Sequence, residues 1–458
     1  MTRFCIMKIP LTRSENISII TQKIGLKTNY IINNHGFIKT KILIFYKWFQ
    51  FPVGSCHGMT LPAKNHLFLL NFVIETVYLF SISMYLKKLS LTNFKNYELN
   101  ELEFSPKINC FVGNNGVGKT NILDAIHYLS LTKSFFNNID SISIRHGEDY
   151  FIIQGTFVRD GEEDQIYCAF QKQKQKILKR NGKEYQKLSD HVGRYPVVMI
   201  SPADSALISE ESEDRRRFLN KIISQYDAEY LDSVLRYNKA LQQRNKLLKD
   251  FRSSGRFDSD VLSIWDAQLV KYGSYVFRER DILVNELIPG FQEYYFLISS
   301  GKEMVKLKYR SHLSEGNFQE ALLNSVTKDR FLEYTTVGIH KDDLLLEMND
   351  FSVKSLGSQG QQKSYLVALK LAKFDYIKRK AGFSPILLLD DIFDKFDAER
   401  VEQIIRLVGN HRFGQIFITD THQNRLQDIL SSHKTDYKLF RIAGNSVEEV
   451  TQNGTTTK

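Results

Sequence analysis

The string Gly113-Asn114-Asn115-Gly116-Val117-Gly118-Lys119-Thr120 follows the spacing G-x-x-x-x-G-K-[ST], which wraps a backbone around a chain of phosphates. Gly113 and Gly118 permit backbone angles and close approaches that a side chain would block. The amides of the loop, including Asn114, Asn115, Gly116 and Val117, point at the phosphates together with the N-terminus of the helix that follows. Lys119 is placed to reach the β- and γ-phosphates, and the Thr120 hydroxyl to ligate Mg²⁺. Far along the chain, Pro385-Ile386-Leu387-Leu388-Leu389-Asp390-Asp391 closes an apolar run with two acids. Two carboxylates at the mouth of a buried strand are costly without a compensating metal or partner. Asp390 is placed to hold Mg²⁺ through water, and Asp391 to orient or deprotonate an attacking water. These residue types at these spacings predict a site for ATP and Mg²⁺ with Lys119, Asp390 and Asp391 in the chemical roles.

Elements must bring these residues together. Ile108-Asn109-Cys110-Phe111-Val112 reads as a short buried strand before the loop, and Ile122, Leu123, Ile126 and Leu129 give the next segment a helical apolar period. The apolar run before Asp390 fits a parallel strand buried on both faces. A third string, Ser358-Gln359-Gly360-Gln361-Gln362, precedes a helical run through Leu366, Leu369, Leu371, Ala372 and Phe374. Ser358 suits the N-cap. A hydroxyl, a flexible glycine and a helix N-terminus form a second anion site on the same chain. A last strand, Gln415-Ile416-Phe417-Ile418-Thr419, runs into Asp420-Thr421-His422.

With these strings in place, the chain resembles the RecF family of recombination-mediator ATPases, within the ABC/SMC-type heads, from Met84 to about residue 450. The resemblance rests on the segment Met84 to Tyr97, on Ser201-Pro202-Ala203-Asp204 and on Arg215-Arg216-Arg217-Phe218-Leu219. It rests further on Gln243-Arg244-Asn245-Lys246-Leu247-Leu248, Gly338-Ile339-His340-Lys341-Asp342-Asp343 and the Ser358 string. It implies a split α/β ABC/SMC-type P-loop ATPase head with a helical insertion domain. In such heads the signature, here Ser358, Gln359 and Gly360, grips the γ-phosphate bound by a second copy, so two ATP molecules are enclosed by a homodimer. The family further implies binding to single-stranded and to linear or gapped double-stranded DNA. It implies work with RecO and RecR, indirect help in loading RecA at gaps, and support of the SOS response.

Three departures accompany the resemblance. ABC-type enzymes usually carry Glu where Asp391 stands; Asp is one methylene shorter, so slow hydrolysis is expected. The segment Ser201 to Asp204 lies where such heads carry a Mg²⁺-sensing Gln, and it has none; Asp204 is the candidate substitute. A γ-phosphate-sensing His often follows the last strand, where this chain has Asp420, with His422 two residues on. Asp394-Lys395-Phe396-Asp397 is the expected D-loop.

The chain of 458 residues carries a net charge of +10, which invites a nucleic-acid reading. Residues 1–83 hold nine basic and two acidic residues, so +7 lies there and only +3 on residues 84–458. Binding to DNA must therefore come from local patches. One is Lys172, Lys174, Lys176, Lys179, Arg180 and Lys183 around an Asn181-Gly182 turn, which is a strong hairpin signal. Lysines at 172, 174 and 176 would alternate onto one strand face, as phosphate contacts or as a plain solvated face. The second patch is Arg215 to Arg217, whose competing reading is ion pairing with Glu210, Glu211, Glu213 and Asp214.

Residues 1–83 contain no Asp and no motif. Leu67 to Ser83 is mostly apolar but short for a membrane span. The segment reads as a non-native or unstructured extension, translated from a start upstream of Met84, with a membrane-associating extension as the alternative. Residues 84–204 form the N-terminal part of the head, 205–330 a mostly helical insertion broken at Ser253-Ser254-Gly255, and 331–458 the C-terminal part. The four cysteines show no metal spacing, and a cytoplasmic protein with no membrane contact over residues 84–458 is expected. An SMC-like structural head would need far longer heptad arms. A transporter ATPase subunit would favour a Leu-Ser-Gly-Gly-Gln signature and a shorter insertion.

Overall fold

The computed structural model describes residues 84–457 except 302, 394, 395, 397, 410, 411, 422–436, 445 and 451–455. The extension 1–83 thus lies outside the described residues.

The parallel strands explain the unbroken apolar runs. A seven-stranded sheet has the order Thr456–Thr457, β15 (Ser446–Val450), β14 (Tyr437–Ala443), β3 (Ile108–Val112), β13 (Ile416–Asp420), β12 (Ile386–Asp390), β8 (Val197–Ile200). The five strands from β14 to β8 pair in parallel. Successive side chains feed two different cores. Ile108, Cys110, Leu387, Leu389, Ile416 and Ile418 enter one, whereas Phe111, Ile386, Leu388 and Phe417 enter the other. Each face is covered, so side chains within β3, β8, β12 and β13 are apolar up to the strand ends, except Asn109 of β3, whose buried amide is satisfied by the Ser105 backbone at 2.8 Å in both directions.

A six-stranded antiparallel sheet has the order β2 (Tyr97–Glu103), β1 (Met84–Phe94), β4 (Tyr150–Arg159), β5 (Glu162–Gln171), β6 (Ile177–Arg180), β7 (Lys183–Glu184). Helix α1 (Lys119–Leu131) shares one core with both sheets, packing Ile122, Ile126 and Leu129 among Leu86, Ile153, Phe157, Leu388 and Phe417. Because both its sides meet apolar layers, nearly all of α1 is buried. Buried Gln415 ties the sheets together, accepting from the Leu86 amide at 2.8 Å and donating to the Leu86 and Ser105 carbonyls.

On the opposite face lie α2 (Ser212–Ile223), α3 (Ala228–Ser254), α4 (Ser259–Ser299), α5 (Phe318–Leu332) and α6 (Gln359–Ala381). Helices α3 and α4 form a hairpin arm, joined at the Ser/Gly break read from the sequence. Helix α6 packs on α4 and on β8. A three-stranded sheet, β11 (Phe351–Ser352), β10 (Asp343–Met348) and β9 (Val305–Arg310), lies beside α4. Strand β9 falls before residue 330 and β10 after it, so this sheet crosses from the helical segment into the C-terminal part of the head. Helix α7 (Ala398–Gly409) completes the described helices longer than one turn. Among the described residues no helix is long and apolar enough to cross a membrane.

Three of the strings on which the resemblance rests, those at 215–219, 243–248 and 338–343, supply charge that builds the arm or fastens it to the head. Arg215 grips Asp343 with both Nε and Nη2, at 2.7 and 3.2 Å. Arg216 donates to the Asp342 carbonyl, and Arg217 pairs with Asp214 at 2.8 Å. The arginine patch is therefore largely consumed by ion pairs and caps, with the 340s as well as its own helix. Buried Arg280 reaches Asp342 at 2.8 Å. Fully buried Arg244 binds Asp266 at 2.5 Å and Asp329 at 2.6 Å.

The lysine patch also differs from expectation. Residues 172–176 form the turn between β5 and β6 and not a strand, with Gln173 at φ 63°. Lys172, Lys176 and Arg180 pair with Asp149, Asp140 and Asp164 respectively. The Asn181-Gly182 hairpin forms as read, joining β6 to β7.

Candidate phosphate-binding site

The loop 113–118 leaves the buried end of β3 and enters α1 at Lys119. Gly118 adopts φ 108°, and a Cβ there would stand 2.4 Å from Asn96 Nδ2 and 2.9 Å from the Tyr97 hydroxyl. A Cβ on Gly113 would fall 2.5 Å from the Ile442 carbonyl of β14. Both glycines are demanded by neighbours that crowd the backbone. The same neighbours hold the loop: Asn96 Nδ2 donates to the Val117 carbonyl at 3.2 Å and the Tyr97 hydroxyl to the Gly118 carbonyl at 3.1 Å. Asn114, Asn115 and Gly116 are exposed at the loop's tip.

Lys119 is buried, and its ammonium donates to the Gly113 and Asn114 carbonyls at 2.6 and 2.9 Å. Burial pulls it below the ordinary lysine range, against the opposing pull of Asp391, Asp390 and Asp420. The Thr120 hydroxyl donates to Asp390 Oδ1 at 2.8 Å, so loop and strand-end acid, distant in sequence, are in contact. Thr419 of β13 donates to the same oxygen at 3.0 Å, and Ser201 to Asp390 Oδ2 at 3.2 Å. Burial raises the Asp390 carboxyl above the usual carboxylate range; the three hydroxyls counter this, and Asp391 adds to it. Asp391 is half-buried at φ 48°, its amide donating to the Thr419 hydroxyl at 2.9 Å. Asp420 stands beside Val112 in the β13–β3 register, at the same sheet edge.

A buried carboxylate surrounded by hydroxyls, with no cation on it among the described residues, suits a hard divalent ion. Thr120 and Asp390 offer adjacent oxygens for one. The glycine cradle, which a Cβ would fill, suits phosphates.

Ser358 caps α6: its hydroxyl accepts from the Gln361 amide at 3.2 Å, and Gln361 Oε1 accepts from the Ser358 amide at 2.8 Å. Ser358 and Gln359 are exposed. Gly360 lies against Arg400, whose Nη1 would be 2.7 Å from an added Cβ. These residues hydrogen-bond within their own lobe, whereas Thr120 and Asp390 bond to each other. The expected D-loop residues 394, 395 and 397, and His422, lie outside the described residues.

Comparison with known proteins now bears on this site. A profile described as the RecF/RecN/SMC N-terminal domain matches residues 85–441. The DNA replication and repair protein RecF of Phocaeicola vulgatus is 51% identical over 368 residues, covering 80% of this chain and 98% of that protein. The chain belongs to the RecF family. RecF of Flavobacterium johnsoniae is 48% identical over 359 residues, covering 78% of this chain and 100% of that protein. A structure of the recombination mediator protein RecF with ATP, in the RecFOR pathway, superposes with a TM-score of 0.73 at 29% identity, covering 81% of this chain and 98% of that one. The RecF fold, an ABC/SMC-type head with its α/β sheets and helices, is thus the fold of this chain.

Within this RecF-family site, sequence reasoning missed Ser201, Thr419, Asn96 and Tyr97. It offered Asp204 as the Mg²⁺ sensor. Asp204 instead accepts from Lys370 at 2.5 Å and from the Ser201 amide at 2.9 Å. The residue of that segment that reaches Asp390 is Ser201. Only its place at the end of buried β8, next to β12, could have signalled this.

Proposed function

We propose that this chain is an ATP-dependent, DNA-binding homodimer of replication and recombinational repair. The observation that carries this reading is the contact of Thr120 with Asp390, at a loop that crowding keeps glycine-rich. Loop amides and Lys119 bind the phosphates. Mg²⁺ held by Thr120 and Asp390 would offset charge on the β- and γ-phosphates. Asp391, the next carboxylate, orients the attacking water, with the slow turnover expected of its short side chain.

Ser358, Gln359 and Gly360 complete the site of a second copy. What supports this is their exposure and the firm capping box behind them, which presents the N-terminus of a long helix. ATP bound between two copies stabilises the dimer by mass action. The family relationship supports DNA as the ligand of the dimer, including gapped and single-stranded forms. It also supports RecO and RecR as partners, with RecA downstream. The ion pairing of Arg215, Arg217, Lys172, Lys176 and Arg180 argues against these residues as ready-made contacts for phosphates.

Analytical ultracentrifugation tests the dimer. With ATP, the wild type sediments as a dimer, Lys119→Met stays monomeric because it does not retain nucleotide, and Ser358→Arg retains ATP yet stays monomeric. A dimer formed by Ser358→Arg at wild-type ATP concentration would remove the signature from the interface.

A further inference from the structure

Away from the phosphate loop, three lysines converge on two phenylalanine rings. Lys221 of α2 lies over Phe135, 5.5 Å from the ring centroid. Lys370 of α6 lies 5.4 Å from Phe135 and 5.7 Å from Phe218, and Lys373 lies 5.9 Å from Phe218. Lys370 and Lys373 are 4% and 6% exposed, whereas solvent reaches Lys221.

Three carboxylates border this cluster, and each already has its own cation, Asp214 pairing with Arg217 at 2.8 Å. Asp204 is held by Lys370 at 2.5 Å and Asp124 by Lys95 at 2.6 Å. Buried His127 adds no charge, because burial pulls its pKa down to about 3. Lys370 also donates to the Met199 carbonyl at 3.2 Å. Among the described residues, the Lys221 and Lys373 ammonium groups make only ring contacts, with no carboxylate at ion-pair distance and no hydrogen-bond acceptor.

An ammonium taken out of water without an acceptor is unfavourable unless it sheds its proton or gains an anion. Burial, with Lys370 and Lys221 nearby, pulls Lys373 well below the ordinary lysine range. The unmatched charge comes from two separate helices, α2 and α6, and the Phe135 and Phe218 rings wall it with apolar surface. A charge-assisted hydrogen bond is strengthened in such surroundings.

We propose that Lys221, Lys370 and Lys373 form a further anion site, distinct from the phosphate loop and from the Ser358 helix start, that takes a small oxyanion of the phosphate class. Lys221 is its entrance. The two buried ammonium groups exclude a nucleic-acid backbone lying on the surface, so the ligand is free phosphate or the terminal phosphate of a mononucleotide. Occupancy would tie α2 to the helix that begins at Ser358.

The test uses the full chain carrying Lys119→Met, so that the phosphate loop contributes nothing. Calorimetric titrations with inorganic phosphate and with AMP, at ionic strength held by chloride, read binding outside the phosphate loop, and the lysine variants separate this site from the Ser358 helix start. Saturable binding is expected, weakened by about tenfold or more when Lys221→Gln or Lys373→Met is added, as loss of a charge-assisted contact requires. Phosphate binding alone identifies the free ion; AMP binding with the same lysine dependence identifies a nucleotide phosphate. Lys221 is exposed, so its replacement leaves folding intact. Absence of saturable binding for both probes, or binding indifferent to both lysines, overturns the proposal.

Discussion

Asp390 is held by three hydroxyls and no cation among the described residues, so its ionisation depends on what binds beside it. Burial raises its pKa above the value of 3.8 for a free aspartate. A carboxyl that binds its proton more tightly when folded lowers stability as pH rises through this window. The penalty is complete above the folded pKa. Asp390→Asn therefore raises the melting temperature of the nucleotide-free protein at neutral pH and flattens its decline as pH rises above the free-aspartate value of 3.8. It also abolishes the further stabilisation by ATP with Mg²⁺. Thermal melts across that pH range, with and without Mg²⁺-ATP, check both halves; an unchanged pH profile would contradict the burial of an ionisable carboxyl here. Asp391 belongs at the same scale. Its carboxylate does not close the Thr120–Asp390 contact, so Asp391→Asn leaves ATP binding intact and slows turnover by at least about tenfold, within the range for losing a positioned general base. Phosphate release under saturating ATP measures it, and a normal rate would take Asp391 out of the chemistry.

At the scale of elements, the arm is attached by buried charge. Arg244 of α3 is fully buried and bridges Asp266 of α4 to Asp329 of α5. A buried pair adds little over an apolar replacement of both sides, but removing one side strands the other. Arg244→Met leaves two carboxylates without their cation and destabilises the fold by about 3–5 kcal/mol, read as a lower midpoint in urea. A loss under about 1 kcal/mol would mean that the aspartates are solvated in ways the burial does not show. Tyr97 is a smaller case. Its hydroxyl holds the Gly118 carbonyl, so Tyr97→Phe weakens ATP binding modestly, through a looser loop and not through lost contact with ligand. Calorimetry would show this as a rise in Kd with unchanged stoichiometry. These elements also explain why several specific strings look functional in sequence. Arg215, Arg244 and Asp342-Asp343 bind one another or the arm, and their chemistry is structural.

At the scale of the whole molecule, one chain carries two helix starts that we propose bind phosphate, at Lys119 on α1 and at Ser358 on α6. In the proposed homodimer each lobe completes the other's site, and slow hydrolysis is proposed to set the lifetime of the closed pair on DNA. Much of this was legible in the sequence because its signals are local. Spacing of Gly, Lys and Thr dictates a phosphate loop, unbroken apolar runs dictate strands covered on both faces, and Ser358 ahead of a helical apolar period dictates an N-cap. Charge was the least legible, since a run of lysines or arginines reads alike whether it meets DNA or aspartate. Lys172, Lys176, Arg180 and Arg215 proved to be paired by residues far away in the chain or across a turn. The sequence by itself determined the loop, the strand-end acids and the order of elements around them, because each depends on neighbours within a few residues. Only the tertiary structure decided that Ser201, and not Asp204, faces Asp390, that Asn96 and Tyr97 brace the loop, and that Lys221, Lys370 and Lys373 gather on the Phe135 and Phe218 rings. Those choices are made by parallel strands and crossing helices, which set side by side residues that no local period connects.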